Sequence, residues 1–160
     1  MRENLEPSWG QDRTAPDGEQ RLESGMFEVT LEVPATGQGV AVARAVAFDI
    51  GMRTDFGVET LEDLKIAVDE ACSELVVLSV PEATVRCLFQ VAGSRLRVVL
   101  TTASATPATP PRSTFGWHVL SVVSDEVWAN DPAEASAGPD GRYPVTIGLV
   151  KNRRMTAADQ

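Results

Sequence analysis

Glu70 and Glu74 stand four residues apart within an apolar-periodic stretch. On a helix their carboxylates lie one above the other and repel modestly, unless a cation, a donor or a partner lies there. Arg44 is the only basic residue in an otherwise largely apolar run, VAVARAVAFDI. A lone Arg in that setting either snorkels to solvent or offers a planar guanidinium for bidentate contact with a partner's carboxylate. Other chemistries find less material. Cys72 and Cys87 lie in apolar patterns on different elements and outside any C-x-x-C pair, so they read as buried reduced thiols. His118 is the one histidine. A multi-histidine zinc site is therefore impossible, no other metal-spaced set appears, and no G-x-S-x-G elbow offers a serine nucleophile for His118 to serve.

These residues must be positioned by a chain of 160 residues, enough for one domain with a real core. Net charge is −9 with 43% hydrophobic residues. That charge argues against direct binding to a nucleic-acid backbone and slightly favours a basic partner. No apolar run approaches the roughly 20 residues of a membrane span, and the first 20 residues lack the apolar region of a signal peptide. A cytoplasmic protein is expected.

Residues 1–25 mix Pro, Gly, Gln and charges without apolar periodicity, a composition expected of a disordered tail that carries Trp9. Phe27, Val29, Leu31 and Val33 alternate with polar residues and predict a half-buried strand at or near a sheet edge. Thr36 is placed to cap a helix reaching about Ile50, with Val40, Ala43, Ala47 and Ile50 toward the sheet. Val42, Val46 and Phe48 are left for a neighbouring helix or a subunit interface.

A second helix follows, carrying both glutamates. Leu61, Leu64, Val68, Ala71, Cys72, Leu75 and Leu78 form its apolar stripe, Thr60 with Asp63 is expected to cap it, and Pro81 ends it. Thr84–Val91 and Arg95–Thr101 predict strands joined at Ala92-Gly93-Ser94. After the loop ASATPATPPRST, a third helix is expected over Phe115–Trp128, capped by Ser113 or Thr114, with Val119, Val123 and Val127 inward. A loose loop, a strand over Pro144–Val150 and a disordered tail over 152–160 follow. The order predicts an α/β two-layer sandwich, a mostly antiparallel sheet with helices on one face.

Two segments carry a resemblance. Val68-Asp69-Glu70-Ala71-Cys72-Ser73-Glu74 resembles the V-D/S-E-A-x-T/S-N segment of the bacterial anti-sigma factor serine kinases, a group of Bergerat (histidine-kinase-like) ATPases. Phe115-Gly116-Trp117-His118-Val119-Leu120 through Val127 resembles their G-x-G-L-x-I/L-I/V-x-x-L/M-x-D-E-V segment. The likeness covers about residues 26–151, which sets the expected domain. Glu70 matches the family's general base. Glu74 stands where the family has the Asn that helps hold Mg²⁺, and Gly116 alone remains of the glycine-rich helix start that meets phosphates. The family's D-x-G-x-G adenine box has no counterpart between Arg95 and Phe115. This pattern looks most like the actinobacterial anti-sigma-F factors of the RsbW or UsfX type.

The resemblance implies a protein that sequesters a SigF-like sigma factor and is released by an anti-sigma factor antagonist. It implies Arg44, 26 positions before Glu70, as a contact to both partners, and it implies a homodimer. No cofactor is expected; ATP with Mg²⁺ would bind weakly, through Glu74 and Gly116, if it binds. The enzymatic alternative is an ATP-dependent serine kinase acting on the antagonist with Glu70 as base. An unrelated domain with a closed pocket for a small apolar ligand is the third reading.

Overall fold

A computed structural model describes residues 26–154. The expected tail over residues 1–25, Trp9 with it, lies outside the described residues, as does the chain beyond 154. The elements in order are β1 (Phe27–Pro34), α1 (Gly37–Arg53), α2 (Val58–Leu78), β2 (Thr84–Ala92), β3 (Arg95–Ser104), α3 (Phe115–Val123), β4 (Glu126–Ala129), a 3₁₀ turn (Pro132–Glu134) and β5 (Tyr143–Asn152). The five strands form one sheet in the order β1-β2-β3-β5-β4. Every neighbouring pair is antiparallel. β1 lies at an edge, as its alternation predicts.

Strand register puts the apolar residues on one face. Leu31 pairs with Cys87, Cys87 with Leu100, Leu100 with Ile147 and Ile147 with Ala129. α1 packs on this face over β1 and β2, and α2 packs over β2, β3 and β5. The predicted stripe of α2 is buried from Leu61 to Leu75, and so are Val40, Ala43, Ala47 and Ile50 of α1. The helical period of 3.6 and the strand period of 2 thus meet in one apolar layer. Both cysteines are buried and free. A side-chain hydrogen bond with Cys87, then burial, pushes the Cys72 thiol above its ordinary value, so it stays protonated and inert.

The other face of the sheet carries a polar row. Gln90 Nε2 donates to Glu28 Oε2 at 2.7 Å, and Arg97 Nη1 donates to Gln90 Oε1 at 3.5 Å. The Arg97 guanidinium lies 4.8 Å from the ring centroid of Trp128. Burial, followed by repulsion from Arg95, lowers its pKa to about 10, so it remains cationic at neutral pH. Trp128 lies flat on Gly148, where an added Cβ would fall 2.0 Å from the indole Cζ2. Only glycine permits that approach.

Three expectations need correcting. α2 starts at Val58 with Gly57 as its cap and no side-chain capping bond, so Thr60 and Asp63 form no capping box. Thr60 is buried inside the first turn, and Asp63 accepts from Lys151 Nζ at 3.0 Å. The third helix stops at Val123, and Val127 and Trp128 belong to the additional edge strand β4. Its buried residues are Trp117 and Leu120, while Val119 and Val123 are only partly covered. The reason is the ladder: Asp125 N–H donates to Val150 O and Asp125 Oδ2 accepts from Asn152 N–H, which draws the chain into the sheet. Residues 152–154, the described part of the expected second tail, are held on the fold. Asn152 is still in β5, Arg153 N–H bonds Ser94 O at 2.7 Å, and Arg154 pairs with Glu59.

Candidate functional site

α2 brings Glu70 and Glu74 to its face toward α3, and Thr114 brings the start of α3 to meet them. Thr114 is the N-cap, and its Oγ1 accepts from Trp117 N–H at 3.1 Å. The same hydroxyl donates to Glu74 Oε1 at 2.9 Å. The helix N–H is thereby linked through one hydroxyl to a carboxylate, at the end of α3 where the macrodipole favours negative charge. Gly116 closes the arrangement. A Cβ at Gly116 would lie 2.4 Å from Glu74 Oε1 and 3.0 Å from Glu70 Oε2, so the backbone of α3 rests directly on both side chains.

Sequence spacing placed Gly116 on a different helix from Glu70 and Glu74, and the fold brings all three together. The donor that the stacked glutamates required is the Thr114 hydroxyl. Its pairing spans 40 positions, and Thr114 had only a capping role in the sequence. Among the described residues, Glu70 has no such donor. Burial raises its carboxyl above the ordinary carboxylate range, and the charges of Asp69 and Glu74 add to the shift.

The loop that leads into α3 is held down as well. Pro110 is buried and Ala108 packs against the core. Asn130 Nδ2 donates to Ala108 O at 3.0 Å, while Asn130 Oδ1 accepts from Thr146 N–H at 2.9 Å, so the loop is tied to β5. Arg112 stacks 5.2 Å from the centroid of Trp117. Phe115 remains 80% exposed at the rim, and His118 is exposed. Among the described residues, no group of three or more His, Cys, Asp or Glu could hold a metal ion.

Arg44 is not part of this junction. It lies on α1, where its Nη1 donates to Asp69 Oδ1 at 2.6 Å, with the side chains 43% and 35% exposed. Nothing in the sequence singled out Asp69 as its partner, because the contact crosses between helices at a separation of 25 residues. Among the described residues, Nη1 is the one Arg44 nitrogen with a side-chain acceptor. Beside it, Ala41, Val42, Ala45, Val46 and Asp49 line a shallow depression open to solvent. Val42 is 49% exposed, whereas Val46 and Phe48 are partly covered, the latter with Lys65 Nζ 5.2 Å from its ring centroid.

No family model matches the chain. A Mycobacterium tuberculosis protein named anti-sigma-F factor RsbW, from strains CDC 1551 and H37Rv, is 31% identical over 140 residues. The match covers 88% of this chain and 77% of the relative. The serine-protein kinase RsbW of Bacillus cereus is 35% identical over 49 residues, 31% of each chain.

Proposed function

The chain belongs to the anti-sigma-F factor RsbW family, and on that premise we propose that it binds a SigF-like sigma factor, withholds it from RNA polymerase and yields it to a competing anti-sigma factor antagonist. The observation that carries this reading is the outer face of α1. Arg44 is held in place by Asp69 but half exposed, next to an open apolar depression. A guanidinium positioned by one acceptor keeps its remaining donors for a second carboxylate on a partner. The net charge of −9 suits a basic partner, because opposite charge steers encounter and would also keep DNA off the sequestered sigma factor. The working assembly is a homodimer in the cytoplasm. In support of that location, no helix among the described residues is long and apolar enough to cross a membrane.

Surface plasmon resonance on the sigma factor co-purified from the native cell tests the reading. Wild-type binding that slows as salt rises is expected, and absence of binding removes the function. Light scattering tests the dimer, for which a mass of one chain is the contrary result.

The rival reading, phosphorylation of a serine on the antagonist, is supported by Glu70 at the base position and by the name of the Bacillus cereus relative. Phosphoryl transfer is almost wholly positioning and electrostatics. In our reading Glu70 lacks that setting, because a carboxylate rather than free N–H groups faces the space beside it. Transfer of label from ATP to the antagonist, abolished by Glu70→Ala, would establish the kinase.

A further inference from the structure

We infer that the Glu74 carboxylate is a built-in ligand of the α3 N-terminus, standing where a nucleotide phosphate would stand, so that the α2/α3 junction is set without any nucleotide. The inference rests on reading the chain as a member of a kinase-like family whose third helix faces phosphates.

Three observations support it. The first is the relay from Trp117 N–H to the Thr114 hydroxyl to Glu74 Oε1, which gives the helix end an anion supplied by the chain itself. The second is the contact at Gly116, too close to both carboxylates to admit even a methyl group between them and the helix. The third is the loop, pinned through Pro110, Ala108 and Asn130 instead of standing open above the junction. A nucleotide with Mg²⁺ does not fit these residues. Its phosphates would meet Glu70 and Glu74 at short range, and the Thr114 hydroxyl that could receive one is turned to Glu74.

Glu74 therefore exchanges one role for another: a position used elsewhere to hold a metal becomes an internal anion. A junction filled from within has no loaded and unloaded state. The grip on the sigma factor then changes only through competition at the α1 face.

Amide hydrogen exchange on the full chain tests this without any partner, so its failure is separate from failure of the sigma-factor reading. In Glu74→Asn, exchange at Trp117 and across residues 105–114 should accelerate about tenfold, as for loss of one charge-assisted hydrogen bond. Millimolar ATP with Mg²⁺, or inorganic pyrophosphate, should leave the wild-type melting temperature unchanged. Wild-type exchange rates in Glu74→Asn, or a rise in the wild-type melting temperature with ATP, would overturn the proposal. If Glu74→Asn does not fold, Gly116→Ala takes its place. Its methyl is aimed at both carboxylates and should speed the same amides, and unchanged rates there would overturn the proposal equally.

Discussion

The α2/α3 junction and the outer face of α1 use the same material, acidic side chains of α2 set against a neighbouring helix, and they reach opposite ends. At the junction, Glu74 has a hydroxyl donor and the backbone of α3 is seated on the carboxylates. At the α1 face, Arg44 has one side-chain acceptor among the described residues, nearly half its surface remains in water and the depression beside it is open to solvent. Neighbouring residues of a single helix turn, Asp69 and Glu70, serve these two regions. The difference shows that one helix can carry a site closed by the chain's own groups and a site left open, because residues one position apart project to different sides.

The comparison is tested most strongly at Arg44. Arg44→Ala should accelerate dissociation of the sigma factor, with a loss of about 2–5 kcal/mol in binding. The isolated chain should lose well under about 1 kcal/mol of stability, as expected for a half-exposed ion pair. Surface plasmon resonance and denaturant titration read the two quantities, and unchanged dissociation would show that the open face is not the partner surface.

Gly116→Ala reverses the pattern. The added methyl must push both carboxylates aside, at about 1–3 kcal/mol of stability, while dissociation of the sigma factor stays at the wild-type rate. A faster dissociation would mean that the two regions are coupled. Thr114→Ala removes a helix cap and should cost about 1 kcal/mol in the same titration, and an unaffected midpoint would place the Glu74 contact outside the energetics of the junction.

The smallest effect concerns Glu70 and pH. Its carboxyl is raised in the folded state, so the folded chain holds this proton more tightly than the unfolded chain does. That contribution to stability is fully present below the ordinary carboxylate pKa and is lost as pH rises through the raised value. Glu70→Gln should therefore be more stable than the wild type at neutral pH, with the advantage shrinking as pH falls toward the carboxylate range. Paired thermal melts across that range check it, and an advantage that grows on acidification would reverse the sign.

Much of this was legible in the residues, for identifiable reasons. The stripe from Leu61 to Leu75 and the alternation from Val85 to Val91 each carry one period over many positions, so the layers and the burial of Glu70's helix followed. Local chemistry was less reliable where tertiary contacts compete with it. Thr60 looked like a cap, but the helix starts a turn earlier on Gly57, and Asp63 is claimed by Lys151. The run from Val122 to Trp128 fits a helix by spacing alone, yet the free edge of β5 takes Val127 and Trp128 as a strand. Within the site, the types and spacing of Glu70, Glu74 and Arg44 could be read directly. Their partners Thr114 and Asp69 could not, since each contact joins elements that only the packing brings together.

The position of β5 has a consequence for synthesis. It comes last of the described elements in chain order, yet it lies inside the sheet between β3 and β4. Chains emerge from the ribosome N-terminus first. Until Tyr143–Asn152 has been made, β3 has an open edge, Leu100 lacks Ile147, Val98 lacks Leu149, and β4 has no strand to join. An unpaired edge beside uncovered apolar side chains invites pairing with other nascent chains. Overproduction in a cell short of chaperones should therefore lose this protein as insoluble chain during translation, however stable the finished fold is.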